Sequence, residues 1–67
     1  MRLGPNQRKV ISYLAACGTK GGAIWAGMVA REFRGLDYEQ VDRAAAALLR
    51  RGVIRRDGIR YILTNSL

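Results

Sequence analysis

The sequence predicts a mainly helical α+β domain in which three helices are followed by a two-stranded β-hairpin. Apolar residues recur at helical spacing through about residue 51, and Gly18, the stretch Arg34-Gly35-Leu36-Asp37 and Gly52 interrupt that spacing where helices should stop. Beyond Gly52 the pattern changes to the alternation of strands around Asp57-Gly58, a dipeptide suited to a tight hairpin turn.

Gly4-Pro5 opens the first helix, since proline fits a first turn whose backbone N–H has no partner. Val10, Leu14 and Cys17 then recur at i, i+4 and i+7 with Ile11 beside them, giving a helix over about residues 5–17. Gly18 is expected to close it in the left-handed position, with Thr19-Lys20-Gly21-Gly22 as the turn. Ala23-Ile24-Trp25 is too short to show a period and reads either as a brief strand or as the entry to the next helix. The second helix is placed at about residues 25–34, with Met28, Val29 and Phe33 on its buried side. Asp37, followed three residues later by Gln40, is a capping-box start for a third helix over about residues 38–51. Val41, Ala44, Ala45 and Leu48 face inward on it, while Glu39, Arg43, Ala46 and Arg50 lie opposite and Asp42 lies on the flank. The alanines at 44–47 are small enough for another backbone to approach, which leaves close packing of the second and third helices or a binding role open.

The hairpin is read over residues 53–64, with strands 53–56 and 59–64 joined by a two-residue loop at Asp57-Gly58. This register pairs Arg56 with Ile59, Arg55 with Arg60, Ile54 with Tyr61 and Val53 with Ile62. It places Ile54, Ile59, Tyr61 and Leu63 on the core face. Arg55 facing Arg60 is a like-charge pair that destabilises by a few tenths of a kcal/mol or more, and an anionic partner would explain the arrangement.

A chain of 67 residues is expected to form one domain, and a domain of that size hides only about 60% of its unfolded surface. No stretch approaches the roughly 18 apolar residues of a membrane span, and the amino-terminal stretch turns polar too early for a secretory signal, so a soluble cytoplasmic protein is expected. Twelve Lys and Arg against five Asp and Glu give a formal charge of +7, an attractive potential for polyanions and above all for nucleic acid. Enzymatic chemistry is poorly provided for. Histidine is absent and cysteine occurs once, which excludes histidine triads, histidine metal sites and an internal disulfide. Cys17 sits at a helix carboxyl end, where the dipole disfavours a thiolate, and is read as a small core residue. Cys17-Gly18-Thr19-Lys20-Gly21-Gly22 lacks the order of a phosphate-binding P-loop. Neither a metal nor a small-molecule cofactor is expected.

The stretch "VDRAAAALLRRGVIRRDGIRYILT" resembles the ending of the winged helix-turn-helix superfamily, in which a recognition helix stops at glycine before a basic hairpin and a Tyr-x-Leu-Thr terminus. "GPNQRKVISYLAACG" is similar to the first helix of many bacterial members, so the resemblance covers almost the whole chain. It implies double-stranded DNA binding, with the third helix in the major groove and the hairpin, or wing, on phosphates or the minor groove. Carried over residue by residue, it assigns Tyr38, Glu39, Gln40, Asp42 and Arg43 to the front of the recognition helix, with Tyr38, Gln40 and Arg43 as its DNA contacts, and Arg50 and Arg51 near its rear, Arg50 as a further contact. Arg55, Arg56 and Arg60 fall on the wing. The implied role is transcriptional regulation, or an architectural or excision-type function in a bacterium or phage, with a homodimer or tandem binding expected if sequence recognition is the task.

Three of the five acidic residues, Asp37, Glu39 and Asp42, gather at the leading end of the third helix, where a DNA reader ordinarily presents neutral or basic groups. They can serve as caps, pair with Arg43 or accept from cytosine N4. They also support a competing reading, a winged-helix adaptor that binds a protein partner through this acidic front. RNA binding would be favoured by exposed stacking aromatics, but Tyr13, Trp25, Tyr38 and Tyr61 are scattered along the chain and Trp25 is read as core.

Overall fold

Capping chemistry sets the helix limits in the computed structural model, which describes residues 2–64. Helix α1 (Pro5–Cys17) begins with the expected proline, and α3 (Tyr38–Arg51) begins with the expected capping box. Asp37 Oδ1 accepts the Gln40 backbone N–H at 2.8 Å, and Gln40 Oε1 accepts the Asp37 N–H at 2.9 Å. Both helices occupy the residues that their patterns predicted. Between them α2 (Ala26–Glu32) is shorter than expected, because Trp25 is extended at φ −146° and ψ 163° and Phe33 has already left helical geometry at φ −121° and ψ 70°.

Gly18 has φ 72° but ψ −155°, so it is not the left-handed cap that was expected; a 3₁₀ turn, Gly18–Lys20, follows it directly. The chain then enters β1 (Gly22–Ala23), which takes Ala23 of the open segment, while Trp25 at its other end is the cap residue of α2. With β2 (Ile54–Asp57) and β3 (Arg60–Leu63) it forms a three-stranded antiparallel sheet in the order β1-β3-β2. Gly22 pairs with Tyr61 and Ala23 with Arg60. The layout is three helices followed by a two-stranded hairpin, with the sheet widened by a two-residue strand from the connection between α1 and α2.

The hairpin register differs from the expected one. Ile54 pairs with Leu63, Arg55 with Ile62, Arg56 with Tyr61 and Asp57 with Arg60, so the two-residue loop is Gly58-Ile59 rather than Asp57-Gly58. Gly58 has φ 63°, and a loop with glycine at its first central position meets the turn's need for positive φ without asking it of a β-branched residue. The same shift sets Asp57 opposite Arg60 instead of arginine opposite arginine, and the like-charge pair read from the sequence is absent. Ile59, expected on the core face, stands at the turn and is 77% exposed.

The core joins Val10 and Leu14 of α1 to Met28, Val29 and Phe33 around α2, to Val41, Ala44, Ala45 and Leu48 of α3, and to Ile54 and Tyr61 of the sheet. Helix α3 packs principally against α1 and less against α2. Cys17 is half-buried at the margin. No polar or charged side chain is buried among the described residues, and none of their helices is long and apolar enough to cross a membrane.

Gly52 ends α3 in left-handed geometry at φ 75° and ψ 12°, and Val53 N–H donates back to the Leu48 carbonyl at 3.1 Å. Thr64 ties the far end of the hairpin to this point: its N–H donates to Val53 O at 3.0 Å, and its hydroxyl lies 2.9 Å from both the Gly52 and the Val53 carbonyl oxygens.

Replacing Thr64 by valine keeps the shape and removes this hydroxyl donor, so stability should fall by about 1 kcal/mol and the melting temperature by roughly 4–8 °C. An unchanged melt would show that the hydroxyl does not hold the wing. For the register, a double-mutant cycle of Asp57→Ala and Arg60→Ala should return a favourable coupling of about 0.2–1 kcal/mol at low salt. A zero or unfavourable coupling contradicts their cross-strand pairing.

Candidate nucleic-acid interface

The outer face of α3 is set by its amphipathic division: Val41, Ala44, Ala45 and Leu48 are buried, leaving Glu39, Arg43 and Arg50 exposed on the far side. Gln40 is exposed too, but its carbonyl oxygen is held in the cap, so only its amide nitrogen is free to donate outward. A bidentate contact to adenine would require the cap to open. Asp37 is held in the same cap through its own carboxylate, which makes one of the three front carboxylates structural, while Glu39 and Asp42 are exposed.

The seven residues assigned by sequence do not converge on one site. Gln40, Arg43 and Arg50 line a concavity of about 330 Å³ between α3 and the start of α1, together with Pro5 and Asn6. Arg55 lines a different concavity of about 540 Å³, with Thr19 of the 3₁₀ turn and Ile62 and Thr64 of the hairpin. Tyr38 and Arg56 line a third, of about 390 Å³, with Trp25, Asp42, Ile59 and Tyr61. Strand alternation is the cause within the wing: in the observed register Arg55 and Arg60 share one face of the hairpin and Arg56 lies on the other.

Arg56 is the most constrained of these arginines. Its Nε donates to the Gly58 carbonyl at 3.1 Å, and its guanidinium carbon lies 5.7 Å from the centre of the Tyr61 ring. Arg60 sits in the middle strand between Asp57 on one side and Ala23 on the other.

Two features escaped the sequence reading. Trp25 is 55% exposed rather than core, and it shares its concavity with Tyr38 and Ile59, the other two large apolar side chains that stand out in solvent among the described residues. The second is a cleft of about 520 Å³ between α1 and the end of α2, where Arg8, Lys9 and Arg34 surround Tyr13 and Phe33. The helical spacing of Arg8 and Lys9 gave no signal of Arg34, which arrives through the fold. No cluster of side chains suited to a metal ion occurs among the described residues.

Tyr13 is held beside this cleft by its hydroxyl, which donates to the Ala23 carbonyl at 3.2 Å, and by an edge-on contact with Phe33 at 5.6 Å between ring centres. Burial raises its pKa above the ordinary 10.0, helped by a hydrogen bond to Cys17 and by the charges of Cys17 and Glu32, against a smaller opposing effect of Arg60. The folded state therefore keeps this proton to higher pH than the unfolded chain does. Its contribution to stability is complete below about pH 10 and is lost as pH rises through the raised value. Denaturation followed between pH 9 and 11, values bracketing the tyrosine range, should show stability falling more steeply for the wild type than for Tyr13→Phe. Parallel curves would remove Tyr13 as the cause.

Set against protein-family models, curated proteins and solved structures, the chain matches none.

Proposed function

We propose that the protein binds double-stranded DNA through α3 and the arginine-bearing hairpin, in a transcriptional or architectural role. The observation that carries this reading is a formal charge of +7 on a body of 67 residues with no charged side chain buried among those described, so the excess cation density lies at the surface. Arg43 and Arg50, two turns apart on the outer face of α3, supply a base contact and a phosphate contact from one helix. Arg55, Arg56 and Arg60 extend the phosphate contacts along the wing, and Tyr38 adds a hydroxyl at the helix entry. Gln40 remains within the interface as a donor through its amide nitrogen, with its carbonyl in the cap. The split of these residues between separate concavities favours contacts distributed along a duplex over a single enclosed pocket.

Titration with random duplex DNA at several salt concentrations tests this. Neutralising roughly four to six phosphates should give a log-log slope near −4 to −5. On a selected site Arg43→Ala should cost about 1–3 kcal/mol and on random duplex much less, whereas an equal loss on both reduces Arg43 to a phosphate contact. No binding at about 50 mM salt would reject the DNA reading in favour of a protein-binding adaptor that uses the exposed Glu39 and Asp42.

A further inference from the structure

We propose that the concavity between Trp25, Tyr38 and Ile59 is a binding slot for one unpaired nucleobase, so that the protein takes single-stranded or locally opened nucleic acid in addition to duplex. Among the described residues, the three large apolar side chains left exposed, at 55%, 42% and 77%, come from three separate segments and all line this one concavity. Scattered exposed apolar residues are ordinary on a protein surface, but their convergence is not.

The local structure holds the indole in place. Trp25 is the extended residue before α2, and its carbonyl accepts the Val29 N–H at 2.9 Å, which anchors its backbone. Its ring lies over Gly27, where a Cβ would collide with the indole's six-membered ring. Glycine inside a helix costs up to about 1 kcal/mol relative to alanine, and here it lets the indole lie down against the first turn with over half of the residue open to solvent. Arg56 also lines the concavity, already restrained by Gly58 and Tyr61.

The chemistry of the walls selects the occupant. A base presents a flat π-face to tryptophan and tyrosine whatever its identity, and the surrounding charge of +7 draws its phosphates. Asp42, also on the wall, repels a phosphate from the slot itself and accepts a hydrogen bond from an exocyclic amino group, as on cytosine N4. A concavity of about 390 Å³ suits a small planar group, whereas a stable dimer buries about 800 Å² on each partner. This inference rests on the nucleic-acid reading above for its electrostatics, but not on the use of α3 in a major groove.

Trp25 is the single tryptophan of the chain, so its fluorescence reports on the slot directly. The experiment titrates the whole protein with a cytosine-rich DNA strand, a thymine-rich strand, RNA of the cytosine-rich sequence, an abasic strand of the same length, and duplex. Base-bearing strands should quench Trp25 and the abasic strand should not. Trp25→Ala should weaken single-strand binding roughly five- to a hundredfold while leaving duplex binding nearly unchanged. Gly27→Ala keeps the ring but lifts it from its seat; it should melt no lower than wild type and still lose single-strand affinity. The cytosine-rich strand should bind tighter than the thymine-rich one, and Asp42→Ala should abolish the difference. The DNA and RNA arms identify which sugar backbone the slot accepts. Equal binding of abasic and base-bearing strands, or single-strand affinity unaffected by both Trp25→Ala and Gly27→Ala, overturns the proposal. Equal affinity for the two DNA strands overturns the part given to Asp42. Loss of duplex binding alone, with quenching by single strands intact, would instead remove the duplex reading and leave the slot standing.

Discussion

The close approach of Gly21 and Gly22 to β3 is the constraint on which most of the sheet side of the molecule depends. A side chain on Gly21, itself at φ 71°, would strike the Tyr61 carbonyl and the Ile62 side chain, and one on Gly22 would meet the Tyr13 hydroxyl at 2.7 Å and the Cys17 sulfur at 2.8 Å. Without Cβ atoms the chain passes between α1 and β3 closely enough to pair with it, and β3 becomes a central strand. That passage puts the Ala23 carbonyl where Tyr13 can donate to it and delivers Trp25 to the surface in extended geometry. A bulkier pair of residues would loosen the sheet, the tyrosine and the start of α2 together.

What the sequence made legible was whatever local interactions decide. Pro5, the Asp37–Gln40 box and Gly52 act within a turn or two of the backbone, and α1 and α3 lie where these residues indicate. The inward set Val41, Ala44, Ala45 and Leu48 followed from periodicity alone. The hairpin register was not local. Asp57-Gly58 and Gly58-Ile59 are both acceptable two-residue loops, and the choice lies with distant partners: β1 alongside β3, and Thr64 fastened to Gly52 and Val53. β1 has only two residues, too few for any alternation to be visible.

Site residues were legible as types and not as an arrangement. Spacing along α3 placed Arg43 and Arg50 on one face, and strand alternation set Arg56 on the face opposite Arg55 and Arg60 in either register, but no spacing could tell that Arg55 would face Ile62 and Arg60 would face Asp57. Gln40 looked free because its cap was read from its position, while the carbonyl that makes the cap is the same one a base would need. Trp25 reads as core because large apolar residues are usually buried; its exposure follows from a strand that ends just before it and a glycine two residues later that accommodates its ring.

The order β1-β3-β2 leaves two strands with an unpaired side, and such edges are where chains join into aggregates. One edge is only two residues long. The other carries Arg55, Arg56 and Asp57, so a second copy approaching it in extended form would have to desolvate three charges to continue the ladder. These charges thereby guard a small protein against polymerising through its own sheet. Neutralising the hairpin would remove that guard, so an engineered variant freed of charge there would become a sticky protein.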